Sequence, residues 1–300
     1  MQQVLVGAVS LGLLWSIMTL GVYITFRILN VADMTVEGTI TLGAGVAAVM
    51  ITKGYSPWLA IAVSLGAGML AGFVSGLLHT KLGIPALLSG ILTMIALFSI
   101  NLRIMGKANI SLLRMNTVYS PLMALGLDKT LAVAVVGAIF TMVVICALYW
   151  FFGTEIGSAI RATGNNPSMV RAQGIHTDTT IIMGLTLSNG LVGLCGALIA
   201  QHQNYADLQM GTGSIVIGLA SMIIGEVLFG KRNFFLRFLS MMFGAITYRI
   251  IIALVLKMGM PSDDLKLFTA LTVIFALSLP RFKEMGSALK ASLKGGRKAC

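Results

Sequence analysis

The sequence predicts an all-helical polytopic membrane protein, and three observations carry that prediction. Hydrophobic residues fill 57% of the 300 positions and charged residues only 10%, too few charges to coat a water-soluble globule of this size. The apolar residues gather in runs close to the roughly 20 residues that a spanning helix needs. Those runs are continuous rather than alternating, which argues against lipid-facing barrel strands and leaves helices to satisfy their own backbone in lipid.

In chain order the runs cover about 4–29, 57–79, 84–105, 130–152, 181–200, 211–230, 234–257 and 265–280, with a shorter one at about 35–52. The expectation is eight or nine transmembrane segments in a single domain, 1–280, followed by a basic tail, 281–300. The first run exceeds an h-region of roughly 7–15 residues and lacks a basic start, so it reads as a span rather than a cleavable signal peptide. Cys146 and Cys195 lie inside apolar runs and Cys300 is the last residue, a distribution that suggests neither a metal site nor a disulfide framework.

Orientation follows from the lysines and arginines. The tail holds Arg281, Lys283, Lys290, Lys294, Arg297 and Lys298 against Glu284, which assigns the C-terminus to the cytoplasm. Counting back by pairs of spans puts the junction at Lys231, Arg232 and Arg237 on the same side, and then residues 154–180. Residues 101–129 fall outside, although they carry Arg103, Lys107, Arg114 and Lys129 against Asp128. The net charge of +11 then reflects topology and anionic lipid rather than nucleic acid. Phe282, Met285, Leu289 and Leu293 recur at helical spacing in the tail, as in a helix lying on the membrane surface.

The longest polar interruption is "TEIGSAIRATGNNPSMVRAQGIHTDT", residues 154–179. "IGSAIRATG" carries small and apolar residues at helical spacing and is expected to stop at Gly164. "NNPSMVRAQGI" restarts with Asn166 placed to cap, Pro167 at the first helical position and an end at Gly174. Two short helices joined by a sharp turn make a compact knob suited to a groove on a soluble partner.

The pattern Gly157, Ala159, Arg161, Ala162, Gly164, Asn166, Pro167, Arg171, Gly174 closely resembles the cytoplasmic coupling segment of permeases in bacterial ABC importers, in the branched-chain amino acid and ribose permease group. "DMTVEGTITLGA" (33–44), "LLSGILTMIALFSINLRIMG" (87–106) and "IGEVLFGKRNFFLRFLSMMFGAITYR" (224–249) resemble a subgroup linked to tryptophan, tyrosine or related substrates. The resemblance implies a permease subunit, not an enzyme, for a small organic solute, most plausibly an aromatic or branched-chain amino acid. It also implies a multi-pass protein of the bacterial inner membrane, a second permease copy forming a homodimer, cytoplasmic ABC ATPases that bind ATP and magnesium, and an extracytoplasmic binding protein or lipoprotein. Gly157, Arg161, Gly164, Asn166, Pro167, Arg171 and Gly174 would then form the ATPase-facing coupling element. "GEVLFGK" (225–231) imitates the start of a P-loop, but Arg232 replaces the magnesium-binding Ser or Thr and a membrane span precedes it, so no nucleotide site is expected in this chain.

Candidate path residues begin at "NVADMTVEGTITLGAG". Glu37 beside an apolar run is a functional candidate because intramembrane acids are costly, and Thr35, Gly38, Thr39, Thr41, Gly43 and Gly45 fit an interrupted helix whose end faces a polar solute. The competing account has Asp33 or Thr35 capping a helix and Glu37 favouring its N-terminal dipole. Ser89, Thr93, Ser99 and Asn101 in one span, Thr186, Ser188 and Asn189 in another, and Ser221 in a third are candidates for either solute contact or interhelix bonding. Glu226 is expected to pair with Lys231 or Arg232. Gly68, Gly72 and Gly76, and Gly193, Gly196 and Ala197, form two smooth faces for close packing. Arg103, Lys107 and Arg114 suit docking of an acidic binding-protein surface. The alternative to ATP-driven import is a secondary transporter driven by an ion gradient, for which Glu37 would be the relay; His79, His176 and His202 are too scattered for an intramembrane enzyme.

Overall fold

The computed structural model describes residues 2–230 and 233–257, together with positions 267, 270, 271, 274 and 278. The run 265–280 is therefore described only at isolated positions, and the tail 281–300 lies outside the described residues, as do Lys231 and Arg232. Helix α1 (Gln2–Tyr23) continues through a π-helical turn (Ile24–Ile28); α2 (Thr35–Thr52), α3 (Pro57–Thr80) and α4 (Ala86–Met105) follow. Next come strand β1 (Asn109–Ser111), α5 (Ser120–Ala124), α6 (Lys129–Gly153), α7 (Glu155–Asn165) and α8 (Pro167–Ala172). The chain then forms α9 (Thr177–Gln203), β2 (Tyr205–Asp207), α10 (Ser214–Phe229) and α11 (Phe234–Lys257). Seven helices among the described residues are long and apolar enough to cross a membrane; α10 is apolar but has only 16 residues.

Helix α9 is the axis of the bundle. It lies against α3 and α2 on one side and α1 on another, and its residues from Ser188 to Gln201 are all buried. Close approach is possible because the facing surfaces lack side chains: a Cβ on Gly68 would meet the Asn189 carbonyl, one on Gly72 the Leu185 carbonyl, and one on Gly196 the Ile40 carbonyl. These belong to the two glycine faces expected from the sequence, which meet each other at Gly68 and Gly193, while Gly196 lies against α2.

Two helices begin part-way along the bundle. α2 starts beside Asn189, halfway along α9, and runs to the end of the bundle where Gly45 meets Met105. α10 starts beside the first turn of α2 and runs the opposite way, to the end where Glu226 meets Arg27. Each follows a long helix that ends at an asparagine in the left-handed region, Asn30 (φ 57°) and Asn204 (φ 61°). Each is introduced by an aspartate whose side chain accepts the N–H two residues on: Asp33 from Thr35 (2.9 Å) and Asp207 from Gln209 (2.8 Å). The repeated Asn-x-Ala-Asp at 30–33 and 204–207 thus builds the same break twice, in opposite senses.

The exclusion of strands holds for the spans but misses a small sheet. β1 and β2 pair antiparallel, Ile110 opposite Ala206, at the end of the bundle remote from α7 and α8. It ties the loop after α4 to the exit of α9 where neither segment is helical.

Candidate functional site: a clamped hairpin and a junction of two half-helices

The polar segment folds as the expected helix–turn–helix. Thr154 caps α7 by accepting the Gly157 N–H (3.3 Å), Asn166 caps α8 by accepting the Met169 N–H (3.1 Å), and Pro167 opens α8. Gly174 ends the hairpin at φ 82°, a conformation costly for any residue with a Cβ. The expected stop at Gly164 is corrected: α7 continues to Asn165, and Gly164 is helical. Its lack of a Cβ matters because the Ile28 carbonyl at the end of the π-turn lies directly against it.

The hairpin is fastened to the membrane body at several points. Gly157 lies on the backbone of Phe151 and Phe152, and the Arg161 guanidinium sits 5.0 Å over the ring of Phe234. Thr163 bonds to Thr180 (2.8 Å), and Arg171 Nε donates to Thr177 Oγ1 (2.6 Å). Asp178 holds Lys81 at 3.3 Å and Arg171 at 3.7 Å. The seven residues expected to face a partner therefore divide. Gly157, Arg161 and Gly164 turn toward the bundle, whereas Asn166, Pro167, Arg171 and Gly174 lie on the exposed side with Met169. Periodicity could not separate the two groups because glycine and arginine serve equally well at a tight helix contact and at a surface.

The second feature is the place where α2 and α10 begin. Glu37, in the first turn of α2, accepts the N–H of Gly213, the residue before α10, at 3.0 Å through Oε1. A Cβ on Gly211 would meet the Glu37 carbonyl and Thr41. The positive ends of two helix dipoles thus converge on one carboxyl group. Beside it opens a cleft of ≈ 400 Å³ lined by Glu37, Gly38, Thr41, Met94, Phe98 and Asn101, with Leu208 and Thr212 at its rim.

Of the path candidates, Glu37, Gly38 and Asn101 come together at this cleft, and Asn101 Nδ2 donates to the Gly38 carbonyl (3.1 Å). Of the others, Thr35, Ser89, Thr93, Ser188 and Asn189 bond within the protein, all but Thr93 between helices. Asn189 donates to Asp33 (2.7 Å) and accepts from Thr39 (2.8 Å), while Thr35 donates to Ser75 (3.0 Å), whose carbonyl accepts from Ser89 (2.7 Å). Ser188 bonds to the Gly21 carbonyl (2.7 Å), and Thr93 to the Ser89 carbonyl of its own helix (2.9 Å). Thr41 and Ser99, also among the candidates, line the same cleft. Phe98, Thr212 and Gly213 were not singled out; the signal for the last two was the "GTG" before α10.

The two features are joined. Glu226 near the end of α10 bonds to Arg27 Nε in the π-turn (2.9 Å), next to the Ile28 carbonyl on which Gly164 rests. Arg27 is one partner of Glu226; the expected Lys231 and Arg232 lie outside the described residues. Gly225 and Leu228 of the P-loop imitation are helical, in α10. Arg103, Lys107 and Arg114 are exposed at the end of the bundle opposite the hairpin.

Comparison with known proteins follows this geometry. The family described as branched-chain amino acid transport system / permease component matches residues 4–278. A tyrosine transport system permease protein of Clostridioides difficile is 38% identical, with 91% of this chain and 90% of that protein aligned. An uncharacterized protein of Rickettsia prowazekii is 32% identical over 92% of this chain and 97% of its own. An autoinducer 2 import system permease protein of Salmonella typhimurium is 29% identical over 65% of this chain and 55% of its own. A chain of PsaBC from Streptococcus pneumoniae, solved in complex with Fab, superposes with a TM-score of 0.51 at 15% identity, covering 93% of this chain and 91% of that one, a likeness of fold.

Proposed function

The chain belongs to the branched-chain amino acid transport system permease family, and from that premise we propose that its hairpin passes the motion of a partner ATPase to the junction of the two half-helices. It is the membrane-embedded permease subunit of an ABC-type importer, a transport subunit whose ATPase resides on a separate chain. Our reading goes further in four respects. The cargo is an amino acid, as for the tyrosine permease it resembles. Two copies of the permease form a homodimer with the path between them. The protein sits in the bacterial inner membrane with hairpin and C-terminus in the cytoplasm, where the ATPases bind ATP and magnesium. Arg103, Lys107 and Arg114 receive the binding protein on the other face by charge complementarity.

The observation that carries this reading is the continuous connection from hairpin to junction: Gly164 on Ile28, Arg27 on Glu226, and α10 from Glu226 to its start at Glu37. Displacing the hairpin displaces α1 and α10 together, and α10 begins where the cleft opens. A 16-residue helix is a rigid strut of about 24 Å, so motion at one end reaches the other.

The test is reconstitution of the permease with its ATPase and binding protein in liposomes. Uptake of a radiolabelled amino acid such as tyrosine is expected to require internal or external ATP on the hairpin side and to survive collapse of ion gradients. Uptake abolished by an ionophore and indifferent to ATP would instead establish the ion-driven alternative.

A further inference from the structure

The cleft at the junction has an unusual inventory of polar atoms. Glu37 is the carboxyl group where α2 and α10 converge, and no ion pair to it occurs among the described residues. Its Oε1 takes the Gly213 N–H, and Glu37 is one of the residues that line the cleft. Asn101 is only 2% exposed, and the bond from its Nδ2 to the Gly38 carbonyl fixes the orientation of its amide. Its Oδ1 is buried and without a partner among the described residues, and Asn101 is one of the residues that line the cleft. Thr41 spends its hydroxyl hydrogen on the Glu37 carbonyl (3.3 Å) and so offers only lone pairs. Ser99 and Thr212 add hydroxyls that can donate or accept, so the lining holds one carboxyl group, an unpartnered amide oxygen behind it and no cation.

A buried acceptor left unsatisfied costs about 1–3 kcal/mol, and an intramembrane acid ordinarily has a partner or a function. What meets both conditions is a group with several N–H donors and a positive charge. A primary ammonium has three donors on one atom. The other wall is apolar: Phe98 and Ile95 are more than half exposed along the flank of α4, and Met94 and Leu208 extend the surface. The ≈ 400 Å³ volume lies in the range of sites that hold small molecules.

We propose that this cleft binds the ammonium group of an amino acid with an aromatic or large apolar side chain, Glu37 and Asn101 accepting from the nitrogen and Phe98 and Ile95 holding the side chain. The site is a station on the permease itself, additional to whatever a binding protein holds, and it rests on the reading of the chain as an amino acid permease.

The test uses the intact permease–ATPase complex in nanodiscs, with Thr212→Cys as a reporter at the rim and Cys146 and Cys300 replaced by serine. Alkylation of the reporter by N-ethylmaleimide is followed with tyrosine, or with 3-(4-hydroxyphenyl)propanoate, which has the same ring and carboxylate but no ammonium. Tyrosine is expected to slow alkylation and the deamino compound to leave it unchanged. Glu37→Gln should raise the half-protecting concentration of tyrosine about tenfold or more, the change expected when a hydrogen bond to a charged group is lost. Phe98→Ala, on the exposed flank where folding is not at stake, should weaken protection by tyrosine. Equal protection by both compounds, protection by neither, or protection indifferent to both substitutions overturns the site. ATP-driven amino acid uptake by the same complex is scored separately: uptake without selective protection sinks the ammonium site alone, whereas no uptake of any amino acid sinks the cargo assignment beneath it.

Discussion

Asn189 shows how one polar side chain organises the middle of the bundle. It joins Asp33, which introduces α2, to Thr39 in the second turn of α2, and it bonds to the Leu185 carbonyl of its own helix (3.1 Å). Fully buried, it sets the depth at which α2 begins and hence where Glu37 stands. Asn189→Leu would leave Asp33 Oδ2 without that donor in a low-dielectric interior, a loss of about 1–3 kcal/mol. A lower Tm of the purified permease is the expected result, and an unchanged Tm would show that the network is dispensable. The polar residues inside spans were legible as candidates from sequence alone, but not their division into glue and lining. Ser89 and Asn101 sit on one apolar helix at similar local composition; only the neighbours, Ser75 for one and the open cleft for the other, tell them apart.

Among the elements, α10 has the most distinctive role. The apolar run covers 211–230, whereas the helix occupies Ser214–Phe229 and begins part-way along the bundle. Hydropathy averages cannot reveal this, because the uncharged Gly211, Thr212 and Gly213 before the helix do not interrupt the apolar window. The duplicated Asn-x-Ala-Asp was the available clue, since two left-handed asparagines after long helices mark two chain reversals. The strut account makes the Arg27–Glu226 bridge a mechanical link rather than a source of stability, as Arg27 is half exposed and such pairs contribute little. Arg27→Glu or Glu226→Arg alone should lower the number of solute molecules imported per ATP hydrolysed, while the double exchange restores it. If both single exchanges transport with full coupling, motion does not pass through this bridge.

For the whole molecule, the fold class, the positions of most helices and the hairpin were readable from composition, run length and cap residues. The reason is that lipid forces every backbone bond inward and so makes helix placement a local matter. Depth, strand pairing and the inward face of the hairpin depend on contacts far apart in sequence and were not readable. What results is a bundle with a protruding hairpin at one end, an exposed cationic rim at the other, and a cleft between them at the convergence of two short helices. The central claim is that the hairpin's outer face meets the ATPase. Met169 is half exposed on that face, whereas Lys107 lies at the opposite end. The most direct measurement is crosslinking in the intact transporter from a photoreactive group at Met169, with one at Lys107 for comparison. Crosslinks to the ATPase from Met169 and none from Lys107 are the predicted result; capture of the ATPase from Lys107, or of lipid alone from Met169, would contradict the account.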